Sequence, residues 1–280
     1  MQSVAIVGTG LIGASFGLAL RKAGFDGKII GVSSPGALAE AKAAGAIDSS
    51  ATLEEACKSA DLVYLSQAVD RITETLPLIA GFVRAGALVT DAGSVKAVIA
   101  KKAATLPGLS FIGGHPLAGK EVRGAAAADP DLFQGRPYVL TPRQGPQSEY
   151  EATFRAYLGR MGTHLVELTA EEHDHATAFT SHLPQFLSTA LAATLHEQKN
   201  ENFGNVFGPG LMDMTRLALS SPELWTAILA NNRENVLQAL DSFAGCLGQL
   251  REALIEGSLD AQFRSGRVFA ESLRTSKRVE

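Results

Sequence analysis

Cysteine is nearly absent from this chain. Only Cys57 and Cys246 occur in 280 residues, far apart and in no metal-ligand spacing. That excludes a disulfide framework and a thiolate metal site, and the two read as free thiols of a reducing compartment, so the expected location is cytoplasmic. Long runs of one charge are missing as well. With 25 basic and 29 acidic residues the net charge is −4. No basic stretch is available for nucleic acid or an anionic membrane, and neither is expected as a partner. The segment Met1–Leu20 has no charge at all, which invites a reading as a signal peptide or membrane anchor. No basic residue opens it, however, and Gly8, Gly10, Gly13 and Gly17 interrupt it. A spanning helix needs ~20 mostly apolar residues, so a buried strand, a tight turn and a buried helix explain the segment better. Neither a fixed-period repeat nor a low-complexity tract is found. What remains is a chain 46% hydrophobic, long enough for one large core or two modest ones.

From Met1 to about Leu168 short apolar runs alternate with helix-period stretches. The runs are Val4–Gly8, Lys28–Ser33, Asp61–Ser66, Ala87–Asp91, Leu109–Gly113, Tyr138–Thr141 and Thr163–Leu168. Ser34-Pro35 offers an N-cap with proline at the first helical position. Thr52…Glu55, Ser148…Glu151 and Thr169…Glu172 have capping-box spacing. Such alternation predicts an α/β domain, a parallel sheet covered on both faces. After Thr169 the strand signal ends. A helical run interrupted by Pro184, a Gly-rich break at Gly204–Gly210, a long helical stretch from Ser221-Pro222 to about Glu256 and an amphipathic segment Leu259–Leu273 follow. The expected division is a Rossmann-like domain over 1–168 and an all-α domain over 169–280 that completes a substrate site and pairs subunits.

Gly8-Thr9-Gly10-Leu11-Ile12-Gly13 is a G-x-G-x-x-G placed between a strand pattern and a helix pattern, the context in which the motif binds dinucleotides. Gly8 permits the tight turn, Gly10 lets backbone approach a pyrophosphate, and Gly13 allows close helix–strand packing. The helix N-terminus opening at Leu11 and Ile12 supplies free N–H groups to the phosphates. The second strand ends Gly31-Val32-Ser33-Ser34. An NAD site usually carries Asp or Glu there for the ribose 2′-hydroxyl. Its absence leans the reading toward NADP or dual use, although no arginine is present either. Alternatively, Ser33 and Ser34 simply end a strand and cap a helix.

Three further segments carry chemistry: Asp91-Ala92-Gly93-Ser94-Val95-Lys96, Gly113-Gly114-His115-Pro116-Leu117-Ala118-Gly119 and Ser181-His182-Leu183-Pro184-Gln185. The first two follow predicted strands, and ligands gather outside the carboxyl ends of strands in open parallel sheets. Ser94 and His115 are thus set to face a nicotinamide, with His182 facing them from the helical half. Taken with Gly210-Leu211-Met212-Asp213-Met214-Thr215-Arg216 and Ser221-Pro222-Glu223-Leu224-Trp225, these motifs closely resemble the prephenate/arogenate dehydrogenase family over about residues 1–255.

The resemblance implies a modified Rossmann domain, a helical dimerisation domain, and oxidative decarboxylation of a small-molecule substrate, prephenate or arogenate, with hydride transfer to NAD(P)+ on the route to tyrosine. It implies that His115 bonds the C4 hydroxyl and accepts its proton, that Ser94 orients His115 or the same hydroxyl, and that Arg216 anchors a carboxylate. His182 and the acidic Glu121 would belong to the substrate pocket. An imidazole suits the proton transfer, and a planar guanidinium suits the anchor. Each residue also has a plainer reading. His115 could be a structural histidine, Ser94 a helix N-cap, His182 a buried hydrogen-bonded residue, and Arg216 the surface partner of Asp213. No metal is expected, since His173 and His175 in H-x-H point to different sides of a helix. Met212 and Lys120 depart from the family pattern, and Ser66-Gln67-Ala68-Val69 lacks its proline. Ending at Glu280, the chain is expected to have no regulatory ACT module and no fused chorismate mutase. The competing readings are a β-hydroxyacid or 6-phosphogluconate-type dehydrogenase, disfavoured because Gly204–Arg216 has no lysine, and a nucleotide-binding regulator without turnover.

Overall fold

The computed structural model describes residues 1–120 and 122–276. By its contacts the chain divides into two compact units, residues 1–233 and 234–280. The first unit opens with β1 (Ser3–Val7), α1 (Leu11–Lys22), β2 (Lys28–Val32), α2 (Pro35–Ala43), β3 (Ser49–Ser50) and α3 (Leu53–Ser59). It continues with β4 (Leu62–Leu65), α4 (Val69–Ala80), β5 (Leu88–Asp91), α5 (Ala97–Ala104) and β6 (Phe111–Ile112). These strands pair in parallel in the order β3-β2-β1-β4-β5-β6. The order reverses between β1 and β4, which opens the crevice where such sheets hold ligands.

Strand periodicity explains why both faces are covered. Val4 and Ile6 of β1, with Leu62 and Tyr64 of β4, enter one core, where Phe16 of α1 stacks on Tyr64. The intervening Ala5, Val7, Val63 and Leu65 enter the other. Alternate side chains of a strand point to opposite faces, so two apolar sets in one short run need helices on both sides. Thr52 and Thr169 close their capping boxes with Glu55 and Glu172.

Two expectations need correction. The parallel sheet does not take in all seven apolar runs. β7 (Gly114–Pro116), β8 (Pro137–Leu140) and β9 (His164–Glu167) form a separate three-stranded sheet, with β7 antiparallel to β8. Gly113 and Gly114 make the transfer possible. A Cβ on Gly113 would lie 2.4 Å from Thr141 Oγ1, and one on Gly114 2.6 Å from the Asp91 carbonyl oxygen. Apolar runs do not encode which neighbour a strand pairs with. Nor does Ser148 cap α6 (Glu151–Arg160): its hydroxyl donates to the Gly86 carbonyl at 2.6 Å instead.

No strand follows β9 among the described residues. α7 (Ala170–Thr177), a π-helical turn over Ala178–His182, α8 (Leu183–Glu197), α9 (Pro209–Thr215) and α10 (Pro222–Asn231) complete the first unit. α7 packs on α5, and α10 on α4. The change from mixed to helical structure near residue 168 and the change of packing unit at 233 are therefore different boundaries. The second unit holds α11 (Arg233–Glu256) from its second residue onward, and α12 (Asp260–Ser276). Among the described residues no helix is long and apolar enough to cross a membrane.

Candidate active site

The glycine loop has the geometry that a dinucleotide requires. Gly8 takes a φ of 96°, and a Cβ there would lie 2.8 Å from the Ser66 carbonyl oxygen. Gly13 sits against Gly8, where an added Cβ would be 2.0 Å from the Gly8 carbonyl oxygen. Gly10 faces open space, with nothing within 4 Å of the same test atom. Gly10 is also the N-cap of α1, without a side-chain cap and with no acidic residue in the first turn. The first N–H groups of α1, beginning at Leu11 and Ile12, are thus open to an anion. Beside the loop a cavity of about 200 Å³ is lined by Ile12, Ser66, Ala92, Gly93, Ser94 and Ile228. These residues fit a bound dinucleotide, with the cavity at the carboxyl ends of β4 and β5.

At the next strands along the same edge lies a network of buried polar groups. His115, on β7, is buried. Its Nδ1 lies 2.8 Å from Nε2 of His173, and Nδ1 of His173 lies 2.7 Å from Oδ1 of Asp174. Asp174 also accepts from the backbone N–H of Lys96 at 2.7 Å and of Ala97 at 2.9 Å. The Lys96 ammonium is fully buried against the Asp91 carboxylate and donates to the Gly114 carbonyl at 2.8 Å. Asp91 accepts from the Gly114 N–H at 3.0 Å. Both polar groups of Gly114 are therefore clamped immediately before His115.

Burial holds the His115 pKa well below the usual histidine value, assisted by His173, Lys96 and His182. The His173 value is lowered by burial against the opposing hydrogen bond to Asp174. Burial takes His182 down to about 4. All three rings favour the neutral form, which for His115 means a lone pair free to accept a proton.

The π-helical turn brings His182 into this group. In an α-helix nine residues advance ~900°, which would set His182 ~180° from His173. One extra residue taken up by a π turn removes ~100° of that separation, and such turns recur at functional sites. His182 is buried edge-on to Trp225, with ring centroids 5.8 Å apart, and its Nδ1 is 3.3 Å from Nδ2 of Asn232. Asn232 in turn donates to the Asp174 carbonyl at 2.7 Å.

The remaining sequence-derived candidates are distributed as follows. Ser94 is half-buried in the cavity wall. It is not the N-cap of α5, a position held by Lys96. Among the described residues no hydrogen bond joins Ser94 to His115, whose Nδ1 is occupied by His173. Ser33 and Ser34 are exposed, and Ser34, at the N-cap of α2, makes no side-chain cap hydrogen bond. Arg216 is exposed in a 3-10 turn, Arg216–Leu219. Glu121 lies outside the described residues.

Comparison with known proteins decides the family. The family model for the prephenate dehydrogenase nucleotide-binding domain matches residues 16–167, and that for the prephenate dehydrogenase dimerization domain matches residues 169–267. The chain belongs to the prephenate dehydrogenase family. A prephenate dehydrogenase from Lactococcus lactis is 33% identical over 256 residues, 89% of this chain and 70% of that protein. The Aquifex aeolicus prephenate dehydrogenase solved with hydroxyphenyl propionate and NAD+ superposes with a TM-score of 0.88 at 31% identity, covering 98% of each chain. An arogenate dehydrogenase from Synechocystis superposes with a TM-score of 0.81 at 30% identity, over 98% of this chain and 99% of that one. As a member of the prephenate dehydrogenase family the chain is a nicotinamide-dinucleotide dehydrogenase, and neither competing reading is favoured.

Sequence reasoning passed over His173, Asp174, Asn232 and the Asp91–Lys96 pair. A signal for the first two was present. The H-x-H argument puts His173 and His175 on opposite sides of α7, and the structure buries one and exposes the other. A buried histidine next to an aspartate on a capped helix is a candidate for a polar partner.

Proposed function

We propose that this dehydrogenase oxidises the ring C4 hydroxyl of prephenate or arogenate with loss of the C1 carboxylate, and that His115 is the proton acceptor. The observation that carries this is the His115 ring itself. It favours the neutral form, is held through Nδ1 by His173, and follows Gly114, whose N–H is bonded to Asp91 at the carboxyl end of β5. Gly8, Gly10, Leu11, Ile12 and Gly13 would hold NAD(P)+, which would supply the hydride acceptor. Nε2 of His115 takes the hydroxyl proton as the C4–H bond breaks. The C1–carboxylate bond then releases CO2, its electron pair completes the aromatic ring, and His115 returns the proton to the phenol oxygen. Burial of this site keeps water from competing for that proton.

Ser94 lines the cavity and is suited to bond the hydroxyl or the cofactor. His182 lines the substrate side and Arg216 grips a carboxylate. Ser33 and Ser34, exposed at the end of β2 with no carboxylate beside them, favour NADP or use of both cofactors, since nothing there repels a 2′-phosphate. Residues 169–280 serve as the substrate and dimerisation region of a cytoplasmic homodimer. A groove of about 760 Å³ lined by Leu247, Leu254, Leu259 and Phe263 supports this. So does the exposure of Leu254, Phe263 and Phe269 at 66%, 69% and 63%, since apolar surface gathered in one region marks association sites.

The test is a NAD(P)H absorbance assay with prephenate and arogenate, each with NAD+ and NADP+. Turnover of at least one substrate supports the reading, and the pair of cofactor columns gives the preference. No turnover in any of the four combinations by a folded, cofactor-binding protein would reject it.

A further inference from the structure

The hydrogen-bond chain behind His115 does more than bury a polar group. Asp174 has two backbone N–H groups pointed at it, from Lys96 to Oδ1 and from Ala97 to Oδ2. Receiving them, the side chain acts as an acceptor, a carboxylate. Its Oδ1 therefore accepts from His173 as well, which requires the proton of His173 on Nδ1. His173 is neutral, so its Nε2 carries a lone pair. That lone pair faces Nδ1 of His115 at 2.8 Å, and two lone pairs cannot face each other at that distance. The proton of neutral His115 must then sit on Nδ1, and Nε2 is left as an acceptor. The assignments start at two main-chain N–H groups and take His173 in the neutral form that its burial favours.

We propose that His173 and Asp174 are positioning residues that hold His115 as the Nδ1-protonated tautomer, with Nε2 presented to the substrate hydroxyl. This rests on the reading of His115 as the proton acceptor. The loop closes on itself. Asp174 holds the backbone at Lys96, the Lys96 ammonium and Asp91 hold both polar groups of Gly114, and the next residue is His115. Ring orientation is set from one side by His173 and backbone position from the other by Asp91 and Lys96, all of them buried. A reacting group needs its nitrogen held to about half an ångström, and buried partners of this kind supply that. The arrangement is analogous to the carboxylate that sets imidazole tautomer in hydrolytic triads, where an Asn replacement reverses the tautomer and costs on the order of 10⁴ in turnover.

The experiment combines kinetics with tautomer assignment on the full-length enzyme saturated with cofactor. Long-range proton–nitrogen NMR correlation should show the His115 proton on Nδ1 in the wild-type protein. Asp174→Asn can offer its amide N–H to His173, turning His173 over and moving the His115 proton to Nε2. His173→Leu removes the acceptor altogether. Both should lower kcat by ~10²–10⁴ with KM changed less than ~3-fold. His173→Gln, whose amide oxygen can accept from Nδ1–H, should retain kcat to within ~10-fold of wild type and keep the Nδ1 proton. A merely structural role for His173 would not distinguish Gln from Leu in kcat at equal stability.

His115→Asn, measured alongside, separates the two ideas. Wild-type turnover in that variant would overturn the proton-acceptor reading and the positioning proposal with it. Loss of turnover in His115→Asn, with wild-type kcat in His173→Leu and Asp174→Asn, would overturn only the positioning proposal. Should either dyad variant fail to fold, the wild-type spectrum still decides, because a proton on Nε2 of His115 contradicts the proposal outright.

Discussion

A Cβ added to Gly13 would lie 2.0 Å from the Gly8 carbonyl oxygen, whereas one added to Gly10 would meet nothing within 4 Å. The two glycines therefore serve different ends, one packing and one ligand access. Gly13→Ala should destabilise the fold by about 1–3 kcal/mol, the range for forced overpacking. Gly10→Ala should unfold like the wild type but bind NAD(P)+ at least ~10-fold more weakly, a loss of about 1.4 kcal/mol. Urea denaturation and a cofactor titration check both. Normal cofactor binding by Gly10→Ala would show that the pyrophosphate does not pass over this residue.

Three buried histidines have lowered pKa values, and the sign of the resulting pH dependence follows. The unfolded chain binds protons at His115, His173 and His182 that the folded state excludes, so stability rises with pH. The contribution is complete above the usual value of 6.5 and is lost as pH falls below it. For His182 the loss extends to about 4 and is worth up to about 3 kcal/mol. Urea midpoints measured between neutral and mildly acid pH should fall accordingly, and a flat profile would contradict the burial. Activity should follow a second rule. Because His115 stays neutral below the usual range, the acid limb of kcat/KM should lie below 6.5. A limb centred on that value would mean a solvent-exposed imidazole.

Arg216 separates binding from chemistry. Both candidate substrates keep a side-chain carboxylate that survives and a ring carboxylate that departs. Gripping the departing one would oppose decarboxylation, so the arginine should hold the survivor. Arg216→Ala should then mainly raise KM, lowering kcat/KM by ~30–1000-fold, or about 2–4 kcal/mol. Lysine should rescue only in part, lacking the planar fork. Steady-state kinetics decide. A loss confined to kcat would assign Arg216 to the reacting end, and no loss at all would leave it a surface residue.

The exposed apolar groove of the second unit predicts the assembly state. Phe263→Asp, at a side chain 69% exposed, should leave helix content unchanged and shift the protein from dimer to monomer, because a carboxylate buried across an interface is unpaired. Sedimentation velocity at micromolar concentration checks this. A wild-type monomer under the same conditions would reject the homodimer.

Local rules in the sequence were enough to mark β1, β2, β4, β5 and β6 of the parallel sheet, whereas the two-residue β3 (Ser49–Ser50) left no apolar run to read. Alternation in Val4–Val7 and Leu62–Leu65, the glycine spacing of Gly8–Gly13, and the capping pairs Thr52–Glu55 and Thr169–Glu172 all act within a few residues, and each appears in the structure as read. His115, Ser94 and Arg216 could be nominated from the sequence because they sit in short motifs, and of these the structure sets His115 in a buried polar network. The second sheet was not legible, because the direction of pairing of β7 with β8 depends on partners 20 or more residues apart, such as Gly114 and Leu140.

The tautomer of His115 was beyond sequence reading for the same reason. It depends on contacts spanning 58 residues to His173 and 78 residues from Asp174 to Lys96. His182 joins them only because one helical turn widens to a π turn. Sequence by itself determined which residue types stand at the carboxyl edge of the sheet, since hydrophobic period and turn chemistry are local. Only the tertiary structure decided which buried nitrogen faces which, since hydrogen bonds in a core are set by the packing of segments distant in the chain.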